Sequence, residues 1–132
     1  MSSIFSKIIK GEIPCYKIAE DDQFFAFLDI MPLERGHTLV VPKKEVDYIF
    51  DISAPEFAAF WLFSQKVAKA LEKAVPCTRI GIAVIGLEVP HAHIHLIPLH
   101  TEPINFSKPK LKPSSEDLKL VSKQIAEALS GL

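Results

Sequence analysis

Cysteine, net charge and long apolar segments are all scarce in this sequence. Its two cysteines, Cys15 and Cys77, lie far apart and form no CxxC pair, which is typical of a reducing cytoplasm and not of a disulfide scaffold. No apolar run reaches the roughly 18 residues of a membrane span, and residues 1–7 lack the apolar core of a signal peptide. The sequence therefore predicts a cytoplasmic protein that does not enter a membrane.

The formal net charge is only −1, because 15 lysines and arginines stand against 16 acidic residues. This balance argues against a bulk electrostatic attraction to nucleic acid or to an anionic membrane, so local groups must hold any anionic ligand. With 132 residues, of which 48% are hydrophobic, the chain is long enough to form one domain around a packed core.

Apolar periodicity indicates a domain of mixed helices and strands. Residues 4–9 have the apolar spacing of a short helix and residues 53–71 that of a long one, with Ser53 and Glu56 placed for a capping box. β-branched and aromatic runs predict strands at residues 16–20, 23–29, 37–42 and 78–86. The last run is almost continuously apolar, which favours a central strand. We therefore expect an α+β fold, an antiparallel β-sheet with one long helix packed on it and a further C-terminal helix.

The composition changes after residue 100. We predict a catalytic domain over residues 1–100, a connector rich in proline and lysine over 101–113, and a C-terminal helix over 114–132 that docks on the same fold. The connector has no aromatic ladder between its lysines, so it reads as a solvated linker and no nucleic-acid partner is expected.

Three of the five histidines, His91, His93 and His95, occupy alternate positions. On a β-strand they would project from one face, while Ala92 and Ile94 would point into the core. Such a row is compatible with a metal site completed by another ligand, or with nucleophilic catalysis in which one imidazole attacks phosphorus and a second assists the leaving group. A row of structural histidines is disfavoured because each buried ring would need its own hydrogen-bond partner.

Further motifs favour catalysis. Residues 4–9, the run Phe27-Leu28-Asp29-Ile30-Met31-Pro32, and residues 36–44 with Gly-His at their start and Pro-Lys-Lys at their end accompany the His-Ala-His-Ile-His row. Together, from about residue 3 to 99, they resemble the histidine triad (HIT) superfamily in its Hint-like branch. The resemblance implies a homodimer whose sheets join across the two-fold axis. It also implies a hydrolase or transferase that cleaves purine nucleoside phosphoramidates or dinucleoside polyphosphates through a nucleotidyl-histidine intermediate, without a metal or other cofactor.

The resemblance also implies roles for individual residues. His93 would be the nucleophile, His95 would lie near the leaving group, and His91 and His37 would support them. Asp29 would hold the ribose hydroxyls. The purine nucleoside would contact Ile4, Phe5, Ile8, Ile13, Phe27, Leu28, Asp29 and Ile30.

This chain departs from the family pattern in two places. The loop before the triad lacks the usual Asn and has Leu87 and Glu88 where Gln and a Ser or Val are usual, which leaves fewer neutral donors for a phosphate. A nucleotide-binding module with weak or lost catalysis therefore remains an alternative, and a His-ligated metal protein a less favoured one. Ser3, Ser6 and Glu45 stand where many bacterial relatives have two cysteines and a histidine that hold a structural zinc, so no such zinc site is predicted.

Overall fold

The computed structural model describes residues 2–132 and shows an α+β domain built on a five-stranded antiparallel sheet. In chain order the elements are α1 (Ile4–Ile9), β1 (Lys17–Glu20), β2 (Phe24–Leu28), β3 (Thr38–Pro42), a 3-10 turn (Ile49–Asp51), α2 (Ala54–Ala74), β4 (Arg79–Ala83), β5 (Ile94–Leu99) and α3 (Ser115–Ser130). The strands are ordered β1-β2-β3-β5-β4. The predicted fold class is confirmed.

The long helix α2 covers one face of the sheet. Its apolar stripe buries Phe60, Val67 and Leu71 completely, and the Phe60 ring stacks on Phe24 of β2 with the centroids 5.3 Å apart. Complete burial of one such side chain contributes about 1.5–3 kcal/mol to folding. Helix α3 lies against α2 and β1 through Leu118, Val121 and Ile125, all of them buried. Through these contacts α2 and α3 pack against the sheet to which the histidine-bearing segment belongs.

The sequence predicted that β4 is a central strand. In the structure β4 instead forms one edge of the sheet. The chain turns after β4 and returns as β5, which inserts between β4 and β3 and pairs with both. A central strand and an edge strand can have similar apolar content, so composition alone does not show which position a strand takes in the sheet. Ser53 is the N-cap residue of α2 and a proline lies in the first turn, but the predicted capping box is wrong, because the Ser53 side chain makes no capping hydrogen bond.

The predicted strand over the histidine row begins late, at Ile94. Before it, the backbone N–H of His91 donates to the Val89 carbonyl, and that of Ala92 donates to the Val46 carbonyl, so neither joins the ladder. His91 and His93 therefore lie in the segment that enters the strand, and of the three only His95 is part of it. Among residues 2–132, no helix has the length and apolarity needed to cross a bilayer.

Candidate active site

A cavity of about 490 Å³ opens between α1, the end of β2, β5, the loop over residues 85–89 and the connector. All eight predicted nucleoside-binding residues line it, together with His37, His93 and His95. His91 does not line the cavity and lies behind it, completely buried. The structure therefore brings eleven of the twelve predicted site residues to one cavity, and His91, one of the three alternating histidines, faces elsewhere.

The backbone of the triad segment fixes how His93 presents its ring. The Nδ1 atom of His93 lies 2.7 Å from the carbonyl oxygen of His91, and a carbonyl oxygen only accepts, so Nδ1 carries the proton. In a neutral ring the other nitrogen, Nε2, then keeps its lone pair. Phe5 meets this ring edge to face with the centroids 4.9 Å apart, which limits its rotation. His93 is therefore held with one nitrogen available as a nucleophile.

His37 and His95 form a second fixed pair. The backbone N–H of Leu33 donates to Nδ1 of His37, at 3.1 Å, so the His37 proton lies on Nε2. That Nε2–H donates to Nδ1 of His95 at 2.9 Å, which leaves the His95 proton on its own Nε2. The His95 and His93 rings lie with centroids 4.9 Å apart. The His93 ring therefore offers a lone pair on Nε2, and the neighbouring His95 ring offers an Nε2–H donor.

Burial keeps these histidines neutral. It lowers the pKa of His37 to about 3, and the nearby charges of His95, Lys110 and His93 act in the same direction. Burial also lowers the pKa of His95 to about 4, with smaller contributions from His93 and Lys110. The pKa of His93 is lowered by burial too, although the His91 carbonyl, Asp29 and Glu88 oppose that shift. At neutral pH the nucleophilic nitrogen is therefore not blocked by a proton.

Asp29 lies at the end of β2, where the resemblance puts the ribose. Its Oδ1 accepts the backbone N–H of Met31 at 2.9 Å and so closes a turn, while burial raises the pKa of the carboxyl. Its Oδ2 is 3.8 Å from Nε2 of His37. Because His37 is neutral, this contact is not an ion pair. One carboxylate oxygen thus shapes the loop, and the other makes no hydrogen bond within residues 2–132.

Behind the cavity, His91 belongs to a polar cluster with Ser3, Ser6 and Glu45. Its Nε2–H donates to the Pro42 carbonyl at 2.7 Å, and its Nδ1 accepts from the Ser3 hydroxyl at 2.7 Å. Oε1 of Glu45 accepts the Ser3 backbone N–H at 2.6 Å and the Ser6 hydroxyl at 2.7 Å. These bonds hold the pKa of Glu45 down at about 2.

This polar cluster is unsuited to zinc. Zinc in structural sites prefers thiolate and imidazole ligands, whereas here two serine hydroxyls occupy the positions and already take part in hydrogen bonds. Across residues 2–132, no group of three or more His, Cys, Asp or Glu side chains is arranged to hold a metal ion.

Sequence reasoning missed two residues of the connector that line the cavity, Phe106 and Lys110. The Phe106 ring meets His95 edge to face at 5.0 Å between centroids, and the Lys110 Nζ lies 5.5 Å from the centre of the Phe106 ring. An aromatic residue and a cation four positions apart were the only local signal. Glu88 also lines the cavity, so its carboxylate belongs to the site's surroundings and is not simply a distant solvated group.

The chain is similar to known proteins over nearly its whole length. A model of the HIT domain matches residues 10–102. Adenosine 5'-monophosphoramidase hnt1 of Schizosaccharomyces pombe is 33% identical over 132 residues, which cover 98% of this chain and 99% of that protein. A crystal structure of a HIT-like protein from Bartonella henselae superposes with a TM-score of 0.84 at 34% identity, covering 96% of each chain. A zinc-bound histidine triad family protein from Mycobacterium smegmatis gives 0.81 at 28% identity, covering 99% of this chain and 95% of that one.

Proposed function

The chain belongs to the HIT domain family, and we propose that it is a nucleotide hydrolase or transferase of the phosphoramidase type. Its substrate would be a purine nucleoside phosphoramidate or a dinucleoside polyphosphate, cleaved through a nucleotidyl-histidine intermediate. The observation that carries this proposal is the pair of fixed rings, with a free Nε2 on His93 beside an Nε2–H on His95. The name of the fission-yeast relative supports the same type of chemistry.

In the first step the lone pair of His93 Nε2 attacks the α-phosphorus of the substrate. A bond forms between this nitrogen and phosphorus as the bond to the leaving nitrogen breaks, and the electron pair of the broken bond stays on the leaving group. The His93 ring becomes a positively charged phospho-imidazole, and its Nδ1–H remains bonded to the His91 carbonyl, which favours that charge.

His95 acts in this step as a hydrogen-bond donor. The contact from His37 and the low pKa, about 4, keep the His95 ring neutral, so it cannot give up its one proton and remain an uncharged imidazole. A phosphoramidate protonated on nitrogen supplies that proton itself and leaves as a neutral amine. The Nε2–H of His95 then stabilises the lone pair that develops on the leaving nitrogen.

In the second step water attacks phosphorus from the opposite side to the bond that breaks. The bond to His93 breaks, its electron pair returns to Nε2, and the nucleoside monophosphate and one proton are released. The apolar walls, with Phe5, Phe27 and Ile30 among them, would hold the purine, and the free Oδ2 of Asp29 would accept the ribose hydroxyls.

Release of AMP from adenosine 5'-phosphoramidate tests the proposal. The wild-type protein should turn the substrate over, and the H93A variant should release no AMP above background while it keeps its fold. AMP binding without turnover by the wild type would instead favour the binding module. Turnover by H93A at the wild-type rate would contradict the mechanism.

We also propose that the protein forms a homodimer through β4. Within residues 2–132 this edge strand pairs on one side only, with β5, and its Ile82 is about half exposed. An unprotected apolar edge favours pairing with a second strand. Sedimentation at micromolar concentration should give twice the 14.7 kDa chain mass, and a monomer would refute the dimer.

A further inference from the structure

The cavity has very few side chains that could bind a phosphate. Its lining residues include no Asn, Gln, Ser, Thr or Arg, and two of its polar members, Asp29 and Glu88, carry negative charge. His95 is neutral because its Nδ1 accepts a hydrogen bond from His37, and burial lowers the pKa of His93. A phosphate that reaches His93 therefore meets carboxylates, with little to compensate its own charge.

One cation also lines the cavity, and it comes from the connector. Within the part of the chain that the structure describes, Lys110 has no carboxylate within 4.0 Å, whereas Lys17, Lys43 and Lys108 each have one. Its Nζ lies over the Phe106 ring, which itself lies against His95. An ammonium in this position is available to an anion in the cavity.

The connector is held in place on both sides of these two residues. Before Lys110, Asn105 closes a turn by accepting the Ser107 backbone N–H at 2.9 Å, and Lys108 pairs with Glu34. Directly after it, the backbone N–H of Leu111 donates to the Pro32 carbonyl at 2.9 Å. Lys110 is therefore carried by an anchored segment, which reduces the conformational entropy lost when it binds a ligand.

We propose that Lys110 binds the negatively charged phosphate of the substrate, in place of the neutral donors that this chain lacks in the loop before the triad. Phe106 positions Lys110 by packing beneath its ammonium and against His95. This inference rests on the proposed function, because it assigns a role within the same nucleotide site. It makes the connector part of the active site and not only a link to α3.

The test compares a ligand that has a phosphate with one that does not. AMP and adenosine share the nucleoside, so the ratio of their affinities measures what the protein does for the phosphate. In K110M this ratio should fall about tenfold, which corresponds to about 1.4 kcal/mol, because the phosphate loses its charged hydrogen-bond donor. Adenosine affinity should not change, and K110R should recover part of the loss because it restores the charge.

The matched control is K112M, which removes an exposed lysine of the same connector that lies outside this cavity. It should leave both affinities at the wild-type values. Affinity for AMP should also weaken with salt in the wild type and much less in K110M, because salt screens a charge interaction. A purely structural role for Lys110 would not produce this difference.

The outcomes separate the two proposals. If the wild type cleaves adenosine 5'-phosphoramidate and binds AMP, but K110M has an unchanged affinity ratio, the role of Lys110 is wrong and the proposed function stands. If K110M loses adenosine and AMP affinity equally, the residue supports the fold of the site and does not bind phosphate. If the wild type binds neither ligand and turns nothing over, the proposed function fails and this inference fails with it.

Discussion

The three buried histidines and the partly buried His95 differ in what their two nitrogens do, because each has different neighbours. His93 donates to a carbonyl oxygen, His91 donates to another, and His37 accepts from a backbone N–H. His95 takes its proton position from His37. A neutral imidazole has one donor and one acceptor, so fixing one nitrogen fixes the other. The chemistry proposed for the site therefore depends on contacts that never touch the substrate.

Replacing His37 tests this dependence. An H37Q side chain can place its amide N–H near the position from which His37 Nε2 donates to His95, whereas H37F cannot donate. We expect H37Q to keep more of the wild-type kcat than H37F, which should lose about tenfold or more, the consequence of one lost hydrogen bond. Steady-state kinetics with adenosine 5'-phosphoramidate measure both values. Equal kcat in H37F and wild type would mean that the His95 tautomer does not matter.

Helix α1 supplies a wall of the cavity through Ile4, Phe5 and Ile8, and its first turn is tied to the rest of the chain by Glu45. The Glu45 carboxylate accepts one hydrogen bond from the N-cap residue Ser3 and one from Ser6 of α1, while the Ser3 hydroxyl also bonds to His91. This wall of the cavity and the segment that carries His93 are thus connected through one polar cluster.

Removing this tie should loosen the wall and leave the chemistry intact. In E45A we expect the KM for the nucleotide substrate to rise several-fold while kcat stays near the wild-type value, because His93 and His95 keep their own partners. E12A is the matched control, since Glu12 is an exposed residue just beyond α1. A lower kcat with unchanged KM in E45A would place the cluster in the catalytic step.

Local patterns in the sequence identified most helices and strands but not which of them pair or pack together. The alternation at Ala92 and Ile94 correctly predicted core residues, and the predicted C-terminal helix is α3 (Ser115–Ser130). The edge position of β4 and the late start of β5 depend on which strands pair, which no local pattern contains. The positions of Phe106 and Lys110 in the site depend on anchors to Glu34 and Pro32, more than 70 positions away.

Within the candidate site, the apolar residues that line the cavity could be predicted from the sequence because the family motifs include them. The orientation of His91 could not be predicted in this way. Alternation along a strand assumes a regular backbone, and here the backbone N–H of Ala92 donates to the Val46 carbonyl instead of pairing with a strand. Whether Glu88 faced the cavity was likewise a matter of loop geometry. These are tertiary facts that a reading of periodicity does not supply.

Buried neutral histidines also make the stability of the whole protein depend on pH. The pKa of His37 is about 3 and that of His95 about 4 in the folded chain, against 6.5 when exposed. At pH values between the folded pKa and 6.5, the unfolded chain binds protons that the folded chain does not. The free energy of unfolding therefore falls as pH falls. The stabilisation is fully present above 6.5 and is lost towards 3. Below 4.5, Glu45, with its pKa of about 2, adds a loss in the same direction.

Urea unfolding should therefore show a lower midpoint at about pH 5 than at about pH 7.5. The difference should be smaller in H37N, which has one fewer histidine to protonate on unfolding. Equal midpoints for the wild type at the two pH values, or a higher midpoint in acid, would mean that these rings are not held neutral by burial.

The covalent intermediate offers the most direct measurement. Wild-type protein is mixed with adenosine 5'-phosphoramidate, quenched in alkali within the first turnover because a phospho-imidazole is labile to acid, digested, and mapped by mass spectrometry. We predict an adenylyl group on the peptide that contains residues 91–95, with fragmentation assigning it to His93, and none in H93A. Rapid AMP release with no adduct, or an adduct on a different residue, would contradict His93 as the nucleophile.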